Sequence, residues 1–101
     1  MQRMKHTYMI EFELPEVMNE EFMALIPQQR YMINQMLAEG TIKSYSLSMD
    51  RLKLWVILSA NSEFEAMEII DTFPLCDFMT PHLTELMFHN SADMLMQFSL
   101  N

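Results

Sequence analysis

The hydrophobic period of this chain switches between two residues and 3.6 residues in an order that few folds accommodate. Residues 6–14 read HTYMIEFEL. His6, Tyr8, Ile10, Phe12 and Leu14 share one parity, and Thr7, Met9, Glu11 and Glu13 share the other, which predicts a strand with one buried face. Pro15 ends it, having no N–H to give a ladder. Across 19–39, Phe22, Leu25, Ile26, Met32, Ile33, Met36 and Leu37 keep the spacing of a helix stripe. Gly40 follows, where a left-handed C-cap belongs. Pro27 lies inside that pattern, so the helix is expected to bend or divide there.

Residues 41–49, TIKSYSLSM, and 52–60, LKLWVILSA, flank Asp50-Arg51 and predict a hairpin. A turn centred on Asp50-Arg51 sets Tyr45 opposite Val56 and Leu47 opposite Leu54. Ser44, Ser46 and Ser48 then share the other face with Ile57, Trp55 and Lys53. Ser62-Glu63-Phe64-Glu65 is a capping box opening a helix over 62–73. Its expected buried stripe is Phe64, Met67, Ile70 and Phe73, and Pro74 stops it. A last strand is expected over 79–89. Strand, helix, strand, strand, helix, strand in 101 residues is the ferredoxin-like α+β order. Its antiparallel four-stranded sheet carries both helices on one face. The uncovered face would turn Met9, Trp55 and Ile57 toward water, and an apolar patch of that kind predicts sheet-to-sheet pairing in a homodimer. Residues 1–92 read as one domain. Residues 93–101 read as a tail whose Met94, Leu95, Met96, Phe98 and Leu100 pack on a neighbouring subunit; a frayed end is the alternative.

Composition removes several function classes. Glycine occurs once, at Gly40, so neither a P-loop nor a dinucleotide fingerprint can be written. Fourteen acids against six bases give a net charge of −8, which repels nucleic-acid phosphates. The longest apolar run, residues 54–58, is far short of a membrane span. No apolar leader block follows the N-terminus, and the lone Cys76 has no partner for an internal disulfide; both fit a reducing cytoplasm. The thirteen methionines are scattered, with only Met94 and Met96 closely spaced. They therefore read as adaptable core filler and not as a copper site. No HExxH or CxxC is present, and no metal is expected.

Leu14-Pro15, Glu39-Gly40-Thr41, Pro74-Leu75, Phe78-Met79, and Leu86 with His89 and Ser91 resemble the muconolactone delta-isomerase family. The resemblance runs over residues 6 to 92, without a gap from Glu39 to Met79. It implies a dimeric α/β barrel, often built into larger rings, here a decamer. It also implies a double-bond shift in an unsaturated lactone by proton transfer, with no metal or organic cofactor. The chain departs from the family where histidine and lysine would occupy the polar parity of strand one, here Thr7 and Met9. Arginine, histidine and tryptophan of strand two are replaced within Lys43-Ser44-Tyr45-Ser46-Leu47. The basic pocket for a carboxylated lactone is thereby thinned, which marks a divergent subgroup.

Several residues are candidates for chemistry. His89 carries an imidazole, which exchanges protons near neutrality as a proton-shifting catalyst requires; the competing reading is a strand-end histidine in a structural contact. Glu11, on the polar parity of a strand, would become a general base if a barrel desolvated it; otherwise it is an ordinary paired acid. Arg30 and Tyr31 follow Pro27, where a broken helix would aim them into a pocket and Arg30 would clamp a carboxylate. Ser44, Ser46 and Trp55 would line a small-molecule pocket; the alternative is a wet face or a polar dimer seam. In one unbroken strand His82 and His89 would point to opposite faces and could not share a metal.

The leading expectation is a cytoplasmic, cofactor-free, small-molecule-binding homo-oligomer with isomerase chemistry on a small unsaturated acid or lactone. A non-catalytic binding or assembly module is the second. A cofactor-free oxygenase of the same architecture is the third, resting on fold analogy alone.

Overall fold

The computed structural model describes residues 5–92, and the expected arm at 93–101 lies outside them. Strand β1 spans His6–Glu13, helix α1 Glu20–Glu39, β2 Ile42–Leu47, β3 Lys53–Ala60, α2 Glu63–Asp71 and β4 Thr80–Leu86, with a 3₁₀ turn at Cys76–Phe78. The strands form one antiparallel sheet in the order β2-β3-β1-β4. This is the ferredoxin-like α+β arrangement. No described helix is long and apolar enough to cross a membrane.

The core forms where the buried parity of the sheet meets the helices. Tyr8, Ile10 and Phe12 of β1 and Leu54, Val56, Leu58 and Ala60 of β3 pack with Phe22 and Ile33 of α1 and Ala66 and Ile70 of α2. Phe12 and Phe73 meet with ring centroids 6.0 Å apart, and Phe22 meets Phe78 edge-on at 5.6 Å. Contacts of this kind add to the burial that drives the fold.

The hairpin register is the one the turn centre predicts: Tyr45 faces Val56, Leu47 faces Leu54, Ser44 faces Ile57 and Ser46 faces Trp55. A bulge between Ile42 and Ser44 leaves Lys43 as the extra residue. The turn adds something the pattern did not show. Ser48 O accepts from Arg51 N, and the Asp50 carboxylate accepts from the Ser48 hydroxyl at 2.6 Å and from Leu52 N at 3.0 Å. Arg51, inside the four-residue loop between Ser48 and Lys53, then takes φ 65, a left-handed conformation that glycine adopts most easily. An L-residue there costs about 1–2 kcal/mol.

Four expectations are corrected. Pro27 does not divide α1, which is continuous over Glu20–Glu39. Its missing donor falls on the outer side, where Met23 and Pro27 are both exposed and water can satisfy the freed Met23 carbonyl. The buried stripe of α2 is Ala66, Ile70 and then Phe73, spaced four and three apart, so Phe64 is turned outward and 74% exposed. The last strand stops at Leu86, not at 89. Ile57 is buried although it lies on the face without helices, while Met9 on the same face is exposed. The C-cap at Gly40 matches its motif, and at Ser62 the serine half of the capping box forms while Glu65 accepts from Asn61 N, one residue before the cap. Asn19 accepts from Phe22 N, Ser62 accepts from Glu65 N, and Gly40 sits at φ 84 closing α1.

Candidate functional site

Two cavities lie on opposite sides of the sheet. The larger, about 690 Å³, is an open hollow between α1 and the β2–β3 hairpin. Phe22, Ile26 and Ile33 supply one apolar wall, and Leu54, Leu75 and Met79 supply another. Arg30 comes from α1 and Arg51 from the hairpin turn. At the polar part of the lining, the Gln29 amide donates to the Tyr45 hydroxyl at 3.2 Å, and Gln29 Oε1 accepts from Leu75 N at 3.1 Å. Gln29 is buried at a stripe position of α1, between Ile26 and Ile33. Burial pushes the Tyr45 phenol above its usual range, so its hydroxyl keeps its proton. The lining contains no aspartate, glutamate, histidine, lysine or cysteine.

The smaller cavity, about 190 Å³, is lined by Thr7, Lys43, His89 and Ser91. Thr7 belongs to the parity of β1 that faces away from the helices. Lys43 is the bulge residue of β2, on the opposite edge of the sheet from β4. His89 and Ser91 share a cavity with Lys43 because the chain beyond β4 runs back across the uncovered face. That crossing removes the parity argument for His82 and His89. The strand has ended before His89, and His89 returns to the face that carries His82, which lies opposite Glu11.

Glu11 takes a role different from the one its parity suggested. The Trp55 indole donates to it at 3.0 Å and the Lys53 ammonium at 3.2 Å. These two hydrogen bonds, Trp55 first, hold its carboxyl below the usual glutamate range. Desolvation was expected to raise it, and the donors outweigh that effect. A base at neutral pH needs the opposite direction. Glu13 pairs with His82, and His6 with Glu85 at 2.8 Å, so β1 and β4 are tied on both faces of the sheet.

The remaining candidates separate. Arg30 lines the larger cavity without a broken helix to aim it. Tyr31 is 67% exposed and its hydroxyl accepts from Gln35; it belongs to neither cavity. Ser44, Ser46 and Trp55 share the uncovered face, as the hairpin register placed them, but line neither cavity. Burial and the neighbouring Asp77 push the Cys76 thiol up, which suppresses the thiolate. Gln29, Lys43, Tyr45 and Arg51 were not singled out as site residues. A glutamine on an apolar stripe and an arginine in place of a turn glycine were the available signals.

A family model described as muconolactone delta-isomerase matches residues 4–92. A search among curated proteins finds no match. A solved structure titled as the crystal structure of MtbAldR superposes with a TM-score of 0.55 at 12% identity, over 86% of this chain and 56% of that one. This chain thus spans little more than half of that relative, and at such identity the likeness concerns the fold alone.

Proposed function

The chain belongs to the muconolactone delta-isomerase family, and from that premise we propose that it shifts a proton in a small unsaturated carboxylated lactone or acid without a cofactor. The observation that carries this reading is the meeting of His89 and Lys43 beside Thr7 in one small cavity. Thr7 stands where the family resemblance implied a basic side chain. Lys43 and His89 bring an ammonium and an imidazole to that place from other parts of the chain.

The chemistry follows from these groups. The Lys43 ammonium attracts the substrate carboxylate as a point charge. His89 takes a proton from the carbon γ to the lactone carbonyl. The electron pair spreads into a dienolate, and the proton returns at the α carbon, which moves the double bond. Imidazole suits both transfers because its ordinary titration lies closest to neutrality among side chains. A cavity of about 190 Å³ matches a ligand of lactone size. The larger cavity lacks a group of this kind, so chemistry is assigned to the smaller one.

The protein acts as a homodimer or a larger ring, paired through the sheet face that carries Met9. The test of catalysis is deuterium wash-in to muconolactone in D₂O near neutral pD, followed by NMR. Net conversion is expected to be slow in this divergent subgroup, but exchange is expected well above background. His89→Asn should cut the exchange rate about a hundredfold, the scale of a lost general base, with the circular dichroism spectrum unchanged. Exchange at background in the wild type, or equal exchange in His89→Asn, defeats the reading.

A further inference from the structure

We propose that the cavity between α1 and the β2–β3 hairpin is a second binding site, built for a small amphipathic carboxylate whose acid group is held by Arg30 and Arg51. The proposal is independent of the isomerase reading, because this cavity lies on the other side of the sheet from His89.

Charge is the first argument. The chain carries fourteen acids and six bases, yet this cavity is lined by two arginines and no acid. Among the described residues neither guanidinium has a carboxylate partner or any side-chain hydrogen bond, while Lys53, His6 and His82 all do. In an acidic protein, two unpaired guanidinium groups beside one apolar hollow favour an anion from outside. Arginine suits a planar carboxylate because its donors form a fork.

Shape is the second argument. About 690 Å³ with mostly apolar walls lies in the range of small-molecule sites. Tyr45 supplies a further polar point. Its oxygen already accepts from Gln29, and no acceptor for its own proton is found among the described residues. That hydroxyl is available to a carbonyl or hydroxyl on the ligand. Without an imidazole or an acid, the site holds its ligand and does not transform it.

Backbone conformation is the third argument. Arg51 occupies the loop position where glycine is the easy choice. Glycine would close the same turn with less strain, so the arginine side chain accounts for the residue. It lies against the cavity.

The test is calorimetric titration of the full chain with octanoate and, in parallel, with 1-octanol. Octanoate should bind one site per subunit at least tenfold more tightly than 1-octanol. Arg51→Gly and Arg30→Met should each weaken octanoate about tenfold, the scale of one lost charge-assisted hydrogen bond. Arg51→Gly should melt at the same temperature as the wild type or higher, which separates lost binding from lost folding. His89→Asn should leave octanoate affinity unchanged. The proposal is overturned if octanoate does not bind, if 1-octanol binds equally well, or if the arginine variants bind like the wild type. A loss in His89→Asn equal to that in Arg51→Gly also overturns it, by moving the ligand to the other cavity.

Discussion

The two faces of β1 lie a residue apart in sequence and differ in almost every physical respect. Tyr8, Ile10 and Phe12 are sealed under the helices, with at most 2% of their surface exposed. Thr7, Met9, Glu11 and Glu13 meet a returning chain segment, a cross-strand tryptophan and two cations or imidazoles. The cavities repeat the contrast. The helix-side cavity is large, mostly apolar and without a group that exchanges protons at neutral pH. The cavity on the uncovered face is small and joins an imidazole to an ammonium. The difference teaches that room and titratable groups are separated in this molecule, with the roomy apolar hollow on one side of the sheet and the imidazole and ammonium on the other.

The largest expected effect would break the contrast at its packed side. Phe12 is fully buried and touches Phe73. Phe12→Ala should cost about 3–5 kcal/mol through lost burial and the cavity left behind, read as a large fall in urea midpoint. Met9, three residues earlier and of opposite parity, should behave differently. Met9→Glu should keep the far-ultraviolet spectrum and halve, or further reduce, the mass measured by light scattering. An unchanged oligomer in Met9→Glu would remove the uncovered face from the assembly.

A smaller effect sharpens the comparison at the cavity between α1 and the hairpin. Gln29 is the buried polar residue of the described core and satisfies the buried Leu75 N–H. Gln29→Met keeps the volume and removes that acceptor, so it should cost about 1–3 kcal/mol. A neutral result by denaturant titration would mean that the segment after α2 finds another partner for Leu75.

Period was enough to place the strands and helices in order and to set the hairpin register, because a one-residue slip would expose Val56 and Leu54, but it put Phe64 in the wrong stripe and ran the last strand past Leu86. The caps at Gly40 and Ser62 were legible because each follows a local rule; the Asn19 cap, which follows the same kind of rule, was not read. The sites were less legible. His89 was singled out by its chemistry, but its neighbours Thr7 and Lys43 come from other strands, and period carries no information about a chain that leaves the sheet. Pro27 misled because its cost depends on whether water reaches the freed carbonyl, which a spacing pattern does not encode. Arg51 was read only as half of a turn. Its place in the cavity lining depends on the hairpin turn lying beside α1, a tertiary fact.

The smallest expected effect concerns Glu11, and it tests whether the uncovered face is held together by charge. Trp55 is the single tryptophan, and it donates to Glu11, so its emission reports on one carboxylate. The folded carboxyl titrates below its ordinary value, first because of the Trp55 hydrogen bond and then because of Lys53. A depressed acid stabilises the fold above its unfolded value of about 4.3 and loses that contribution as pH falls through the lower folded value. Trp55 emission should therefore change with a midpoint below about 4.3. In Glu11→Gln the transition should be absent, while the fold persists at neutral pH. Raised salt should weaken the Lys53 contribution, since that pair is exposed and screened, and move the midpoint back toward the ordinary range. A midpoint at or above the ordinary glutamate value would restore Glu11 as a candidate base. It would also give the proposed proton transfer a second candidate on the face that carries His89.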